Sequence, residues 1–394
     1  MMDPLWLLLL LPAAAVGGWI MAKREPPRTD RKKLPEAYFK GLRFLLNEQP
    51  DKALRVFLDA VEVDSETVEL HLALGSLFRR RGEIERATRI HQTLVARADL
   101  GDALRAQALF ELAQDYFKAG LLDRAEDLFR ELRDAPEHRE QASRFLLQIY
   151  DQEKEWGNAI AVADELARDF DADLAAPLAQ YCCELAEIAI AAGDNARAEA
   201  QIEAAFAHDP RCVRAVIQSG RLASMRGNHA NAIAIWRGLE HWAPEALGEV
   251  VGHIANSHAA LGERDGHKRF LERAVELNPD SRIIAALVEL VEDEHGGEAA
   301  QSLLLEFVRS HPSLEGLCEL MKARTTRPRT ARESRDFALL AELLTQVVGQ
   351  GRGYHCRTCG FSSNSLHWQC PGCKGWGVMQ RRAATRSGVA ASPS

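Results

Sequence analysis

Apolar residues recur every three or four positions along most of the chain, the period of an α-helix that buries one stripe. Short turns rich in Gly or Pro interrupt the stripe at regular intervals, so the helices are predicted to come in pairs. The pairs also repeat. Gly41, Phe44, Ala53, Phe57 and Ala60 set a pattern of a small residue and an aromatic on a first helix, then Ala and further core positions on a second. The pattern returns 34 positions later as Gly75, Phe78, Ala87, His91 and Leu94. It continues as Ala113, Tyr116, Ala125, Phe129 and Leu132, then Leu147, Tyr150, Ala159, Ala163 and Leu166. Ala186, Ala189, Ala198, Ile202 and Ala205 follow, then Gly220, Ala223, Ala232, Trp236 and Leu239, with looser copies around Ala255–Ala274 and Val288–Phe307. Gly82, Gly120, Gly193, Gly227 and Gly262 precede the second helices, and Pro210, Pro244, Pro279 and Pro312 close units. A single pair cannot bury its own apolar face, so neighbours must stack. Small residues at the crossings let the helices approach.

This arrangement resembles the tetratricopeptide repeat, and the phase predicts an all-α superhelical solenoid over residues 34–313. The family's geometry implies a concave groove lined by the first helices. Partner-binding residues expected there are Gln107, Phe110, Gln114, Phe117, Gln141, Arg144, Gln148, Arg214, Ile217 and Arg221. Arg and aromatic side chains are favoured where binding energy concentrates.

Ahead of the repeats, Pro4 to Ala22 carries no charged residue over 19 positions. As a helix it would span roughly 28 Å, near the thickness of a bilayer's hydrocarbon core. Trp6 and Trp19 stand near its ends, and Lys23, Arg24, Arg28, Arg31, Lys32 and Lys33 follow it. The expectation is a transmembrane anchor over residues 1–22 and a basic juxtamembrane segment over 23–33. By the positive-inside rule the N-terminus lies outside and the rest in the cytoplasm. A cleaved signal peptide would need basic residues before the apolar run, where there is only Asp3. Gly17 and Gly18 read equally as ordinary membrane-helix residues or as a face for packing on another helix.

The net charge of −8 speaks against a nucleic-acid binder, which carries a broad basic surface. Charged residues, 27% of the chain, are dispersed as on solvated helix faces. Of eight cysteines, Cys182, Cys183, Cys212 and Cys318 are scattered through helical sequence and read as small core residues. The other four are paired. From Leu314 the repeat phase blurs into a degenerate region reaching residue 353, with a polar linker at Thr325–Arg335 and an apolar helix at Asp336–Val348. Cys356-x-x-Cys359 and Cys370-x-x-Cys373 then form two knuckles in a ribbon over 354–380, and residues 381–394 read as a disordered tail. Four thiolates suit one closed tetrahedral ion, zinc or iron. A reducing cytoplasm disfavours disulfides. The spacing resembles rubredoxins and short zinc ribbons. Tyr354, Phe361, Trp368 and Trp376 are expected to pack around the knuckles, or in part to form an exposed docking patch.

No zinc-protease, phosphate-loop, dinucleotide or nucleophile-elbow motif is present, so no catalytic site is expected. His253, His258 and His267 sit at repeat positions and read as structural. The order of anchor, basic stretch, repeats and ribbon is similar to that of the lipopolysaccharide assembly protein B family. The resemblance includes Leu8–Ala15, Gly18, Trp19 and both knuckles. It implies a single-pass protein of the bacterial inner membrane with a periplasmic N-terminus. It further implies an adaptor that helps the AAA+ protease FtsH degrade the deacetylase committing carbon to lipid A. The alternatives are a scaffold for lipopolysaccharide synthesis and export proteins, or electron transfer through an iron-loaded ribbon.

Overall fold

The computed structural model describes residues 65–325, 331–350 and 353–381, with 39–41, 43, 44, 52 and 56 from the first repeat. The expected anchor, the basic segment, Ala53, Phe57 and Ala60, and the tail after Arg381 lie outside the described residues. Among those described, no helix is long and apolar enough to cross a membrane.

The described chain is mostly helical. The helices follow in pairs: α1 (Ser65–Arg80) and α2 (Ile84–Val95), α3 (Asp102–Lys118) and α4 (Leu122–Leu132), α5 (Arg139–Glu153) and α6 (Trp156–Phe170). Next come α7 (Ala175–Ala191) and α8 (Asn195–His208), α9 (Val213–Met225) and α10 (His229–Arg237), α11 (Leu247–Leu261) and α12 (Arg264–Leu277). The last are α13 (Ser281–His295) and α14 (Gly297–Ser310), α15 (Leu314–Thr325) and α16 (Ala331–Gln350). Two compact units divide within α5, one ending at Ala142 and the other beginning at Ser143. α16 starts at Ala331, inside the stretch whose polar composition suggests a linker. Polar residues there sit on a helix that needs only one apolar stripe, carried by Phe337, Ala341 and Leu344.

The turn inside each of the first six pairs is the same device. A residue in left-handed conformation ends the first helix, and the next N–H reaches back to the carbonyl five residues earlier, the Schellman closure. Glu83 thus bonds Phe78 at 2.9 Å, Leu121 bonds Tyr116 at 2.9 Å and Asp194 bonds Ala189 at 2.9 Å. Asn228 bonds Ala223 and Glu263 bonds His258, each at 3.0 Å. Glycine holds the left-handed position at 82, 120, 193, 227 and 262, where a Cβ would be strained. The α5–α6 pair makes the identical bond, Glu155 to Tyr150 at 2.9 Å, around Lys154 at φ 60°. Asp194 and Asn228 then cap α8 and α10 by accepting from the N–H groups of Arg197 and Asn231.

Small residues hold the crossings close. A Cβ added to Gly75 would collide with the His91 ring, and one added to Gly220 with the Trp236 indole. Phe78, Ala87, Ala113, Ala125, Phe129, Ala159, Ala198 and Ala232 are all fully buried. In the α5–α6 pair the burial falls one residue earlier than the pattern, on Leu146 rather than Leu147.

The first unit carries charge inside its helices. Asp115, with no exposed surface, meets Arg79 at 2.8 Å and the His91 ring at 2.5 Å. Arg79 also pairs with Glu111, which accepts from Ser76 at 2.7 Å. Buried charges survive only when paired and bonded in this way.

At the C-terminus a small antiparallel sheet forms in the order β2 (Ser362–Ser363), β1 (Tyr354–Cys356), β3 (Met379–Arg381). Arg381 pairs with Tyr354 across it, so the ribbon runs one residue past its expected end.

Candidate metal centre and the ribbon's seat on the helices

The two knuckles are built alike. In each, the first Cys N–H bonds a carbonyl five residues on: Cys356 to Phe361 at 2.7 Å and Cys370 to Gly375 at 2.9 Å. The residue four past each of these cysteines, Gly360 or Lys374, bonds back to it from a positive φ. This folding aims four sulfurs at one point, all within 4.8 Å of one another. Cys356 and Cys373 stand 3.6 Å apart, and Cys359 and Cys370 3.7 Å. Four sulfurs about 2.3 Å from zinc would lie about 3.8 Å apart, so the donor set fits one tetrahedral ion. Against burial, the N–H groups of Cys359 and Thr358 and the neighbouring thiols bring Cys356 down to about 6. The Phe361 N–H favours the Cys359 thiolate, yet burial and the other sulfurs push that thiol up to about 11. Protons shared among four crowded thiols are what a bound cation would displace.

Tyr354, Cys356, Cys370 and Met379 make the ribbon's small core, with Phe361, Leu366 and Val378 against it. The two tryptophans leave that core and meet the helices. Trp376 sets its edge against Trp156 and Tyr181, with centroids 5.9 Å and 5.7 Å away. Its indole N–H donates to Asp151 at 3.1 Å, and Gln369 donates to the same carboxylate. Burial raises the Asp151 carboxyl above its usual value, opposed by bonds from Trp376, Gln369 and Tyr181. Trp368 lies 5.7 Å from the Arg214 guanidinium, which is paired with Glu184 at 2.7 Å.

At the other end of the seat, Tyr354 donates to Glu249 at 2.7 Å, and Arg282 bonds both the Tyr354 oxygen and Glu249. Burial and the bond to Glu249 push the Tyr354 hydroxyl up to about 12, so it stays a donor. Against burial, Asp280 and Glu249 hold the Arg282 guanidinium above its ordinary value. Arg381 completes the group, 2.9 Å from both Asp280 and Ser281. The ribbon thereby engages α5, α7, α9 and α11 and the start of α13, the first helices of five successive pairs, and also Trp156 at the start of α6.

The residues expected to line a groove separate into four groups. Phe110 and Ile217 are core: Phe110 stacks on His138 at 5.0 Å and packs edge-on to Phe129, and Ile217 is 9% exposed. Arg214 is spent on Glu184 and Trp368, and Arg221 faces Glu187 at 3.1 Å. Gln107 donates to Glu111 and Gln114 accepts from Arg79, while Phe117 is half-buried. Gln141, Arg144 and Gln148 are exposed and follow one face of α5 toward Asp151. Sequence reasoning passed over Asp151, Glu249, Asp280, Arg282 and Arg381. A weak signal existed in Glu249 and Arg282, 33 positions apart and so at nearly the same repeat phase.

Comparison with known proteins agrees with both parts. The family described as Rubredoxin metal binding domain matches residues 354–381, and Tetratricopeptide repeat matches 40–103, 110–173 and 183–240. A solved structure of Naa15/Naa10 bound to HypK-THB covers 79% of this chain and 46% of its own, at 14% identity and TM-score 0.45, too slight to carry an argument. Lipopolysaccharide assembly protein B of Haemophilus influenzae (strain ATCC 51907 / DSM 11121 / KW20 / Rd) is 32% identical, covering 94% of this chain and 96% of its own. The protein of that name from Escherichia coli (strain K12) is 35% identical over 377 residues, 95% of this chain and 97% of its own. Identity sustained at that level from end to end, through repeats and ribbon together, means that the chain belongs to the lipopolysaccharide assembly protein B family.

Proposed function

We propose that the chain is a non-catalytic adaptor of the bacterial inner membrane that limits lipopolysaccharide synthesis. In this reading it presents the committed lipid A deacetylase to the membrane protease FtsH. Residues 1–22 anchor it with the N-terminus in the periplasm, and the repeats and ribbon work in the cytoplasm. The observation that carries the role in lipopolysaccharide assembly is the 35% identity over 95% of the chain to a protein bearing that name. A joined anchor and client site raise effective concentration with no new chemistry. The ribbon's ion, zinc in this reading, is structural: it shapes a four-thiolate unit that has little core of its own.

Because the ribbon covers Arg214 and its neighbours, the client surface is assigned to the exposed face of α5 at Gln141, Arg144 and Gln148. Depleting the protein should lengthen the deacetylase half-life several-fold, and crosslinking in native membranes should recover protease and deacetylase together. An unchanged half-life, with synthesis and export enzymes still crosslinked, would favour the scaffold reading instead.

A further inference from the structure

Three cysteines lie together in the second unit, away from the ribbon: Cys182 and Cys183 on α7, and Cys212 at the start of α9. The sulfurs of Cys183 and Cys212 are 3.8 Å apart. A disulfide requires about 2.05 Å, so closure needs a movement of less than ~2 Å. Cys212 lines a cavity of about 530 Å³ between ribbon and helices, along with Asp209, Arg211, Trp242 and Trp368. Cys183 has no exposed surface and does not line that cavity. Cys212, 2% exposed, thus borders the cavity wall, and Cys183, with no exposed surface, stands behind it.

Their proton affinities divide the same way. The bond from Cys183 holds the Cys212 thiol below its ordinary value against burial, helped by the N–H groups of Ala215 and Arg214. The bond to Cys212, then burial, pushes the Cys183 thiol up. Cys182 is also raised, to about 11, chiefly by burial, and is the inert member of the three.

We propose that Cys212 and Cys183 form a peroxide-responsive dithiol, with Cys212 as the attacking and Cys183 as the resolving residue. The Cys212 thiolate attacks one oxygen of hydrogen peroxide. The O–O bond breaks, hydroxide leaves and takes up a proton, and Cys212 becomes a sulfenic acid. The Cys183 sulfur then attacks the Cys212 sulfur. The S–S bond forms, the S–O bond breaks, and the hydroxyl leaves as water with the Cys183 proton. Two thiols are oxidised by two electrons and the peroxide is reduced to two waters. The disulfide joins α7 to the start of α9 beside the ribbon's seat. Glu184 adjoins Cys183, Arg214 is two residues from Cys212, and that pair supports Trp368.

The test titrates full-length, metal-loaded protein with hydrogen peroxide, blocks remaining thiols, and maps peptides without reductant. The expected result is a Cys183–Cys212 linked peptide, reversed by dithiothreitol, at peroxide doses that leave the ribbon's metal bound. Cys183→Ser should leave Cys212 trapped as a sulfenic acid that dimedone captures. Cys212→Ser should leave Cys183 unmodified. Free thiols at both positions at doses that already release the metal would overturn the proposal, as would dimedone capture at Cys183. If either serine variant fails to fold, the wild-type peptide map decides alone.

Discussion

The position that faces a glycine across the helix crossing is filled by His91 in the first unit and by Trp236 in the second. His91 joins a buried charge network with Asp115 and Arg79. Trp236 donates to the Ile217 carbonyl at 3.2 Å and stacks on His253 at 5.5 Å. The same backbone approach is thus satisfied once by an imidazole bonded to a buried carboxylate and once by an indole. A repeat specifies how near two helices come, and leaves the chemistry of the gap to the neighbours. The second unit uses the same aromatic preference again, seating Trp376 against Trp156 and Tyr181.

Metal removal should separate the units most sharply. Structural zinc contributes about 10–16 kcal/mol to folding in small zinc domains. Chelation should therefore unfold the ribbon, shift the fluorescence of Trp368 and Trp376 to the red, and leave helical circular dichroism nearly intact. Unchanged fluorescence in metal-free protein would contradict the seat described above.

Asp115→Ala attacks the other side of the comparison. It leaves Arg79 and His91 buried without their shared carboxylate, which should cost about 3–5 kcal/mol. The first unit should melt earlier, while metal binding by the ribbon is retained; a melting curve with metal analysis checks both. Gly220→Ala places a methyl group against the Trp236 indole and should cost about 1–3 kcal/mol. Denaturant unfolding followed by tryptophan emission reads that loss in the second unit.

Lys154→Gly should act in the opposite direction. It relieves a left-handed residue at the turn where five other pairs carry glycine. The expected gain is about 0.5–1 kcal/mol, set by Cβ strain less the added chain entropy. The smallest effect is a pH dependence. The folded-state Asp151 carboxyl is raised above its ordinary value of 3.8. Its contribution is therefore fully present below that value and lost as pH rises through the folded one. Asp151→Asn keeps an oxygen for Trp376 and should flatten the pH profile of ribbon docking above 4. Ribbon release measured by tryptophan emission across that range tests it; an unaltered slope would contradict the assignment.

Local spacing was enough to place the helix pairs, the glycine turns and the four sulfurs. Small residues at crossings and two Cys-x-x-Cys steps leave little choice of backbone. Phe110 and Ile217 lie buried on first helices, where repeat phase alone does not separate core from groove. Only the stacking of His138 and Phe129 puts Phe110 inside. Arg214 stands among the expected groove residues, but in the structure it meets Trp368, far down the same chain.

By itself the amino-acid sequence determined which residues face one another within a helix pair or a knuckle, because those distances are set by helical rise and tight-turn geometry. The tertiary structure alone decided that the ribbon sits on the first helices, with Trp376 reaching Asp151 across 225 positions. No periodicity encodes such a meeting. It follows from which aromatic and charged surfaces remain unburied once every local element has formed.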